Sequence, residues 1–290
     1  MHRITTALGM LAAPAAYVAG RITGNQSLAM QSVHLDDNFL RGYRTRMQAT
    51  GVHSEIFDRF VQAAKLCAST NEPIDDDIAT LFPASHGQLL QDVVCALLHK
   101  NKRGGYFVEI GVGDGTTYSN TRLLEKELGW HGILAEPALM FHDSIIKDRT
   151  AILDRRAVSS ETGTILTFEQ DDATGELSGI AGQRTRRGKQ IVSSYQVGTI
   201  RLDDLLDAYE APDEIDYISI DTEGSELAVL SGLNLIRRKV SFFTIEHNYD
   251  RHRMKKYDEL MGNAGYRKIA PHLSSFDYWY AHPDLGTTLF

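Results

Sequence analysis

Phe107-Val108-Glu109-Ile110-Gly111-Val112-Gly113-Asp114-Gly115-Thr116 is the stretch on which the fold reading turns. An apolar run of strand length meets three glycines at alternate positions, and a helical pattern follows from Thr116 to Leu128. Glycine lets backbone approach a ligand closely and permits dihedrals that other residues avoid. The dinucleotide spacing G-x-G-x-x-G fails here. Counted from Gly111, the third glycine would fall at Thr116, and it stands at Gly115 instead.

Outward from this loop the chain alternates. Gln88 to His99 reads as a helix, Tyr106 to Ile110 as a strand, Gly132 to Ala135 as a strand and Ala138 to Lys147 as a helix. Ala151 to Val158 is the third strand expected, with an extra β element at Ile165 to Phe168. Leu202 to Tyr209, Ser225 to Leu230 and Lys255 to Asn263 read as helices. Ile215 to Ile220, Val240 to Ile245, Tyr266 to Ile269 and Phe276 to Ala281 read as strands. Alternation of this kind means parallel βαβ units with helices on both faces, so the fold class is α/β. Ligands of such sheets bind beyond the carboxyl ends of the strands. Residues just after each strand are therefore the functional candidates.

Two acids stand at the first two such ends. Glu109 lies two residues before Gly111, where a carboxylate repels a pyrophosphate and suits a cofactor with a cationic amino acid group. S-adenosylmethionine carries an ammonium and a sulfonium and no phosphate. Glu136, after Ile133-Leu134-Ala135, is placed to accept ribose hydroxyls. Further on, Ile218-Ser219-Ile220 opens into Asp221-Thr222-Glu223-Gly224-Ser225-Glu226. Carboxylates there can act as general base, cofactor contact or metal ligand. Glu226 is expected to cap the helix that follows. After the next strand comes Glu246-His247-Asn248, and His247 is a candidate base because histidine titrates near neutrality. No histidine spacing supports a metal site, and a magnesium or calcium ion on Asp221, Glu223 and Glu246 or Asp203 is a secondary reading of the same carboxylates, with no motif of its own. Tyr278, Trp279 and Tyr280 read either as sugar-stacking or as core aromatics, the second being the commoner role. Gly182 to Lys189 (GQRTRRGK) reads as a basic surface loop, or as a lid contacting an anionic acceptor.

Together these blocks resemble the FkbM-type S-adenosylmethionine-dependent methyltransferases. The likeness runs from about Ser85 to Tyr280. It includes VEIGVGDG, Ser119 to Trp130 (SNTRLLEKELGW), GILAEPA, Gly175 to Ser178, TIRLDDLL, IDYISIDTEGSE, TIEHN and FDYWY, in that order. The resemblance implies a class I methyltransferase fold, Rossmann-like, with a seven-stranded, mostly parallel sheet and an antiparallel last strand. It implies methyl transfer to oxygen, commonly on a sugar, glycan or other small hydroxylated metabolite. By carry-over, Glu109, Gly111, Gly113, Gly115, Asn120 and Glu136 hold the cofactor, and Asp221 and Glu223 line the reaction centre. Independently of the resemblance, deprotonating a hydroxyl during methyl transfer needs a base, for which His247 or Asp221 is the candidate. Competing readings are a nicotinamide-dependent oxidoreductase on a related sheet, and a binding module that keeps the fold without turnover.

The 290 residues suit a leader over residues 1–35, a helical segment over residues 36–84 and a catalytic domain over residues 85–290. Ala7 to Gly20 is apolar but too short to span a bilayer, and Pro14 interrupts it. Arg3 ahead of that run loosely resembles a targeting signal, and a surface helix is the plain alternative. A cytosolic cofactor favours the cytoplasm. Formal charge of −8 excludes a general attraction to nucleic acid. Cys67 and Cys95 are too few for a disulfide framework or a four-thiolate zinc site. The segment before residue 80 is a candidate for covering the substrate side or for homodimer formation.

Overall fold

The computed structural model describes residues 62–286, except 64, 68, 71–73, 172–173 and 185–190. The leader, most of the expected helical segment and the centre of the basic loop lie outside the described residues.

Strand β1 (Tyr106–Ile110) is buried along its whole length, as an interior parallel strand must be. It pairs in parallel with β2 (His131–Ala135) on one side and β8 (Glu214–Ile220) on the other. β3 (Ile152–Asp154) extends the sheet beyond β2, and β9 (Lys239–Glu246) extends it beyond β8. β11 (Asp277–Ala281) then runs antiparallel to β9 and to the short β10 (Arg267–Lys268). The order is β10-β11-β9-β8-β1-β2-β3, the expected seven strands with the last one reversed. Between β1 and β8 the winding changes direction, which opens a crevice at the carboxyl ends of both strands.

Helices cover both faces, and the sheet separates two apolar clusters. One joins Val93 and Val94 of helix α2 (Gln91–Leu98) to Phe107, Phe242 and Trp279 of the sheet. Ile78 of α1 (Asp76–Ala79) packs into the same cluster. The other cluster joins Val108 and Ile218 to Leu205 of α5 (Leu202–Ala208), Val229 of α6 (Glu226–Ser231) and Tyr257 of α7 (Arg251–Asn263). Asp250 caps α7 by accepting from the His252 and Arg253 amides, so that helix starts four residues earlier than its apolar pattern indicates.

Three expectations are corrected. The helix after the glycine loop, α3 (Arg122–Leu128), starts at Arg122, because the Glu109 carboxylate holds the backbone and hydroxyls of residues 119–121 in a loop. The expected third strand is two strands. Asp154 accepts from the Arg156 amide and guanidinium, which turns the chain out of the main sheet after β3. Beyond the turn, β4 (Ala157–Ser159) joins a second sheet of order β4-β7-β5-β6, with β5 Ile165–Gln170, β6 Gly179–Ile180 and β7 Ser193–Arg201. β7 is unannounced in the sequence because its first residues, Ser193 to Gln196, lie mostly at the surface and carry no apolar alternation. Helix α4 (His142–Asp148) is shorter than read, with a 3-10 turn at Leu139–Phe141 before it.

The strand ends at the crevice approach as closely as backbone allows. The Asp221 amide donates to the Ile110 carbonyl at 2.9 Å. Gly111 has φ +80°, and a β-carbon there would stand 1.6 Å from the Asp221 carbonyl oxygen. Gly113 has φ +59° with open space where its β-carbon would go. Gly113→Ala should therefore cost about 1–2 kcal/mol of backbone strain alone. Gly111→Ala should cost distinctly more, because it also forces β1 and β8 apart. Thermal melts of the two variants check this, and equal losses would refute it.

Candidate functional site

A cavity of about 360 Å³ opens at the crevice. Glu109, Gly111, Gly113, Asn120 and Glu136 line it, as do Asp221, Glu223 and Glu246. Gly175 to Ile180, together with Phe168, close it from the second sheet. Among the described residues lining it, six are carboxylic acids (with Glu176) and none is lysine, arginine or histidine.

Glu109 leaves β1 on the same face as Phe107 and is wholly engaged by its own chain. Its carboxylate accepts from the Asn120 amide at 2.7 Å, the Ser119 hydroxyl at 2.9 Å and the Thr121 hydroxyl at 2.6 Å. The Arg149 guanidinium stands 3.6 Å away and is itself buried. Arg149 donates as well to Glu125 at 2.7 Å and to the Gly115 carbonyl at 3.1 Å. Burial raises the Glu109 carboxyl above its ordinary range, against the pull of Arg149 and the three donors. Arg149 and Glu125 were not legible as site residues, since neither belongs to a spaced motif.

Asn120 shows what this scaffold achieves. Its side-chain amide donates to the Ser219 hydroxyl at 2.9 Å. Its Oδ1 is buried with no hydrogen-bond partner, in a residue only 8% exposed. A buried acceptor left unpaired costs about 1–3 kcal/mol unless a ligand satisfies it.

Glu136 ties the end of β2 to the glycine loop. One carboxylate oxygen accepts from the Val112 and Gly113 amides, both at 2.9 Å, and the other from the Ala138 amide at 2.8 Å. Gly115 belongs to the loop but is absent from the cavity wall. A β-carbon there would meet Ile145 at 3.1 Å, so this glycine admits α4 rather than a ligand.

The 221–226 loop is held from behind. Glu226 is fully buried and accepts from the Thr222 amide at 3.1 Å, the Gly224 amide at 2.8 Å and Arg253 at 3.2 Å. This is a wider task than the capping expected of it. Asp221, Glu223 and Glu246 then converge, one oxygen from each lying within 4.8 Å of the others. β8 and β9 are adjacent and parallel, with Ile220 opposite Ile245, so Asp221 and Glu246 follow side by side. Burial first, then the neighbouring carboxylates, pushes Asp221 and Glu246 far above the ordinary acid range. Burial also lifts Asp277 to about 7, while Gln91 donates to it at 2.9 Å.

His247 is not brought to this cavity. Strand alternation turns it away from the side that Glu246 takes. It packs 4.4 Å from the Tyr278 ring, accepts from the Tyr249 amide at 2.9 Å and is lowered by burial. Asp203 is likewise remote from the acidic group and accepts from the Asn234 amide at the start of α5. Trp279 and Tyr280 are core, as the commoner role for such a run has it. Of the basic loop, Arg184 is described and lies 3.6 Å from Glu169 and 3.5 Å from Asp171.

The strand order and the reversed last strand are those of the class I methyltransferase fold, with the cavity at the β1/β8 switch. The sequence model described as "Methyltransferase FkbM domain" matches residues 109–268, more than half of the 290. The chain belongs to this FkbM methyltransferase family, whose chemistry in general uses S-adenosylmethionine. The nicotinamide-dependent alternative gives way to it. No curated protein matches the chain. Among solved structures it is similar to methyltransferase FkbM from Methylobacillus flagellatus KT, at 13% identity over 85% of this chain and 69% of that one, with a TM-score of 0.38. It is also similar to precorrin-6y C5,15-methyltransferase from Geobacter metallireducens GS-15, at 12% identity over 61% and 71%, TM-score 0.35. The CurJ carbon methyltransferase matches at 10% identity over 86% and 72%, TM-score 0.35. No helix among the described residues is long and apolar enough to cross a membrane.

Glu136 carries a prediction for pH. Burial raises its pKa from 4.5 to about 7 in the fold. The folded state thus holds the proton more tightly than the unfolded chain. The resulting stability is full below 4.5 and is lost as pH rises through about 7. That gap is worth about 3 kcal/mol. In Glu136→Gln the fall in melting temperature between about pH 5 and pH 8 should shrink. Parallel pH curves for the variant and the parent protein would refute the assignment.

Proposed function

We propose that this chain is an S-adenosylmethionine-dependent O-methyltransferase whose acceptor is a hydroxyl of a sugar, glycan or other small hydroxylated metabolite. The observation that carries the cofactor reading is the cavity wall, with six carboxylic acids and no basic side chain among its described residues. Such a wall attracts a sulfonium and an ammonium and disfavours a pyrophosphate. Asn120 Oδ1 is the acceptor waiting for an ammonium hydrogen. Glu136 and the Gly111 to Gly113 backbone offer the ribose side. Glu109 serves from one step back: with Arg149 it sets the 119–121 loop and hence Asn120. The cofactor's location favours the cytoplasm.

When bound, the cofactor supplies a methyl group on a cationic sulfur. With the cofactor held by Asn120, Glu136 and the 111–113 backbone, its methyl would pass to the acceptor oxygen as the S–CH₃ bond breaks, the bonding pair staying on sulfur as a thioether. The acceptor's proton passes to a carboxylate of the Asp221/Glu223 pair. Holding acceptor and methyl in line supplies most of the rate, on the order of 7–11 kcal/mol.

Calorimetry with S-adenosylhomocysteine tests the cofactor. Asn120→Ala and Gly113→Val should weaken binding, the first by roughly 10–100-fold for one lost charge-assisted hydrogen bond. Unchanged affinity in both variants would refute the placement. For the chemistry, labelled S-adenosylmethionine is offered with pools of sugars, glycans and glycolipids. Asp221→Asn should bind the product cofactor normally yet lose on the order of 100-fold in turnover. Full turnover by that variant would remove Asp221 from the reaction.

A further inference from the structure

The three carboxylates at the ends of β8 and β9 ask for more positive charge than the methyl donor brings. Asp221 and Glu246 are forced side by side by strand register, and Glu223 joins them across a sharp turn in which it takes φ +55°. Glu109, Glu136 and Glu226 are each answered by their own chain, through Arg149, three backbone amides, and Arg253 with loop amides. Asp277 has Gln91. Glu246 differs: it is only 6% exposed, and its Oε2 is buried with no hydrogen-bond partner. Leaving a buried carboxyl oxygen without a partner is costly.

The dimensions fit one ion. Two oxygens on a single cation stand at most twice the metal–oxygen distance apart, about 4.6–5.2 Å for calcium and about 4.0–4.2 Å for magnesium. The three oxygens here lie within 4.8 Å of one another. Ligand chemistry is hard throughout, with oxygen donors and no thiolate or imidazole, which selects magnesium, manganese or calcium over zinc or copper. Three protein ligands leave positions for water or for the oxygens of an acceptor.

We propose that Asp221, Glu223 and Glu246 bind a hard divalent cation, calcium at the present spacing or magnesium or manganese after a small inward shift of the carboxylates, beside the reaction centre, with open positions that take the acceptor's hydroxyl oxygens. The binding stands on the carboxylates alone, while the role toward an acceptor rests on the methyl-transfer reading above. A bound cation would draw the acceptor oxygen to the floor of the cavity and favour its ionised form. It also gives the acceptor class a shape: molecules with neighbouring hydroxyls chelate such an ion better than simple alcohols.

The test uses the full chain, stripped with a chelator and titrated with manganese while free ion is followed by its paramagnetic resonance. One saturable site per chain is expected in the parent protein. E246Q should weaken it at least tenfold, and D203N, remote from the group, should leave it unchanged. S-adenosylhomocysteine binding is measured on the same samples and should survive in E246Q. If E246Q does not fold, D221N takes its place. Absence of a saturable manganese site in the parent protein, or equal affinity in E246Q or D221N, overturns the cation site and means the carboxylates share protons instead. Manganese binding without any S-adenosylhomocysteine binding would leave the ion standing and sink the methyltransferase reading.

Discussion

Buried carboxylates at the carboxyl ends of parallel strands are the constraint around which this molecule is organised. Each must be answered in a region where water is scarce, and the answer shapes the neighbouring loop. Glu109 is the governing case. Its three hydrogen bonds to residues 119–121, with Arg149 behind them, hold a loop where the apolar pattern alone would continue a helix. That loop carries Asn120, which lines the cavity and whose Oδ1 is buried without a hydrogen-bond partner. Removing one partner of such a buried pair would leave the other charge uncompensated, typically a loss of about 3–5 kcal/mol. The charge network is therefore scaffold first and binding surface second.

The same logic divides the acids of the site into two kinds. Glu136 and Glu226 are spent on backbone amides, bracing the glycine loop and the 221–226 loop. Asp221, Glu223 and Glu246 instead converge at adjacent strand ends and keep their chemistry for the cavity. Proximity in sequence would have misled here: His247 is next to Glu246 yet belongs to an aromatic cluster with Tyr278 on the other side of the sheet.

Much of this was legible in one dimension. The strand–glycine–helix stretch, the acids after β1, β2 and β8, and the alternation of elements are local features, and local features survive in sequence. Glu109, Glu136, Asp221 and Glu223 all meet at one cavity, as expected of strand ends at a switch point. Arg149 was invisible because its partners lie 24 to 40 residues away and no spacing links them. β7 was hidden because a strand whose first half is solvated needs no apolar alternation. Gly115 looked like its two neighbours in the loop, but only packing reveals that it makes room for Ile145.

By itself the sequence determined the α/β class, the family and which strand ends bear acids, because periodicity and motif order depend on neighbours along the chain. Tertiary structure decided which of those acids are held by backbone amides and which converge at the ends of β8 and β9. It also decided that Glu246, rather than His247, joins Asp221 and Glu223. The reason is register: β8 and β9 lie in parallel with Ile220 beside Ile245, and the alternation of side chains sends the next residue to one face and its successor to the other.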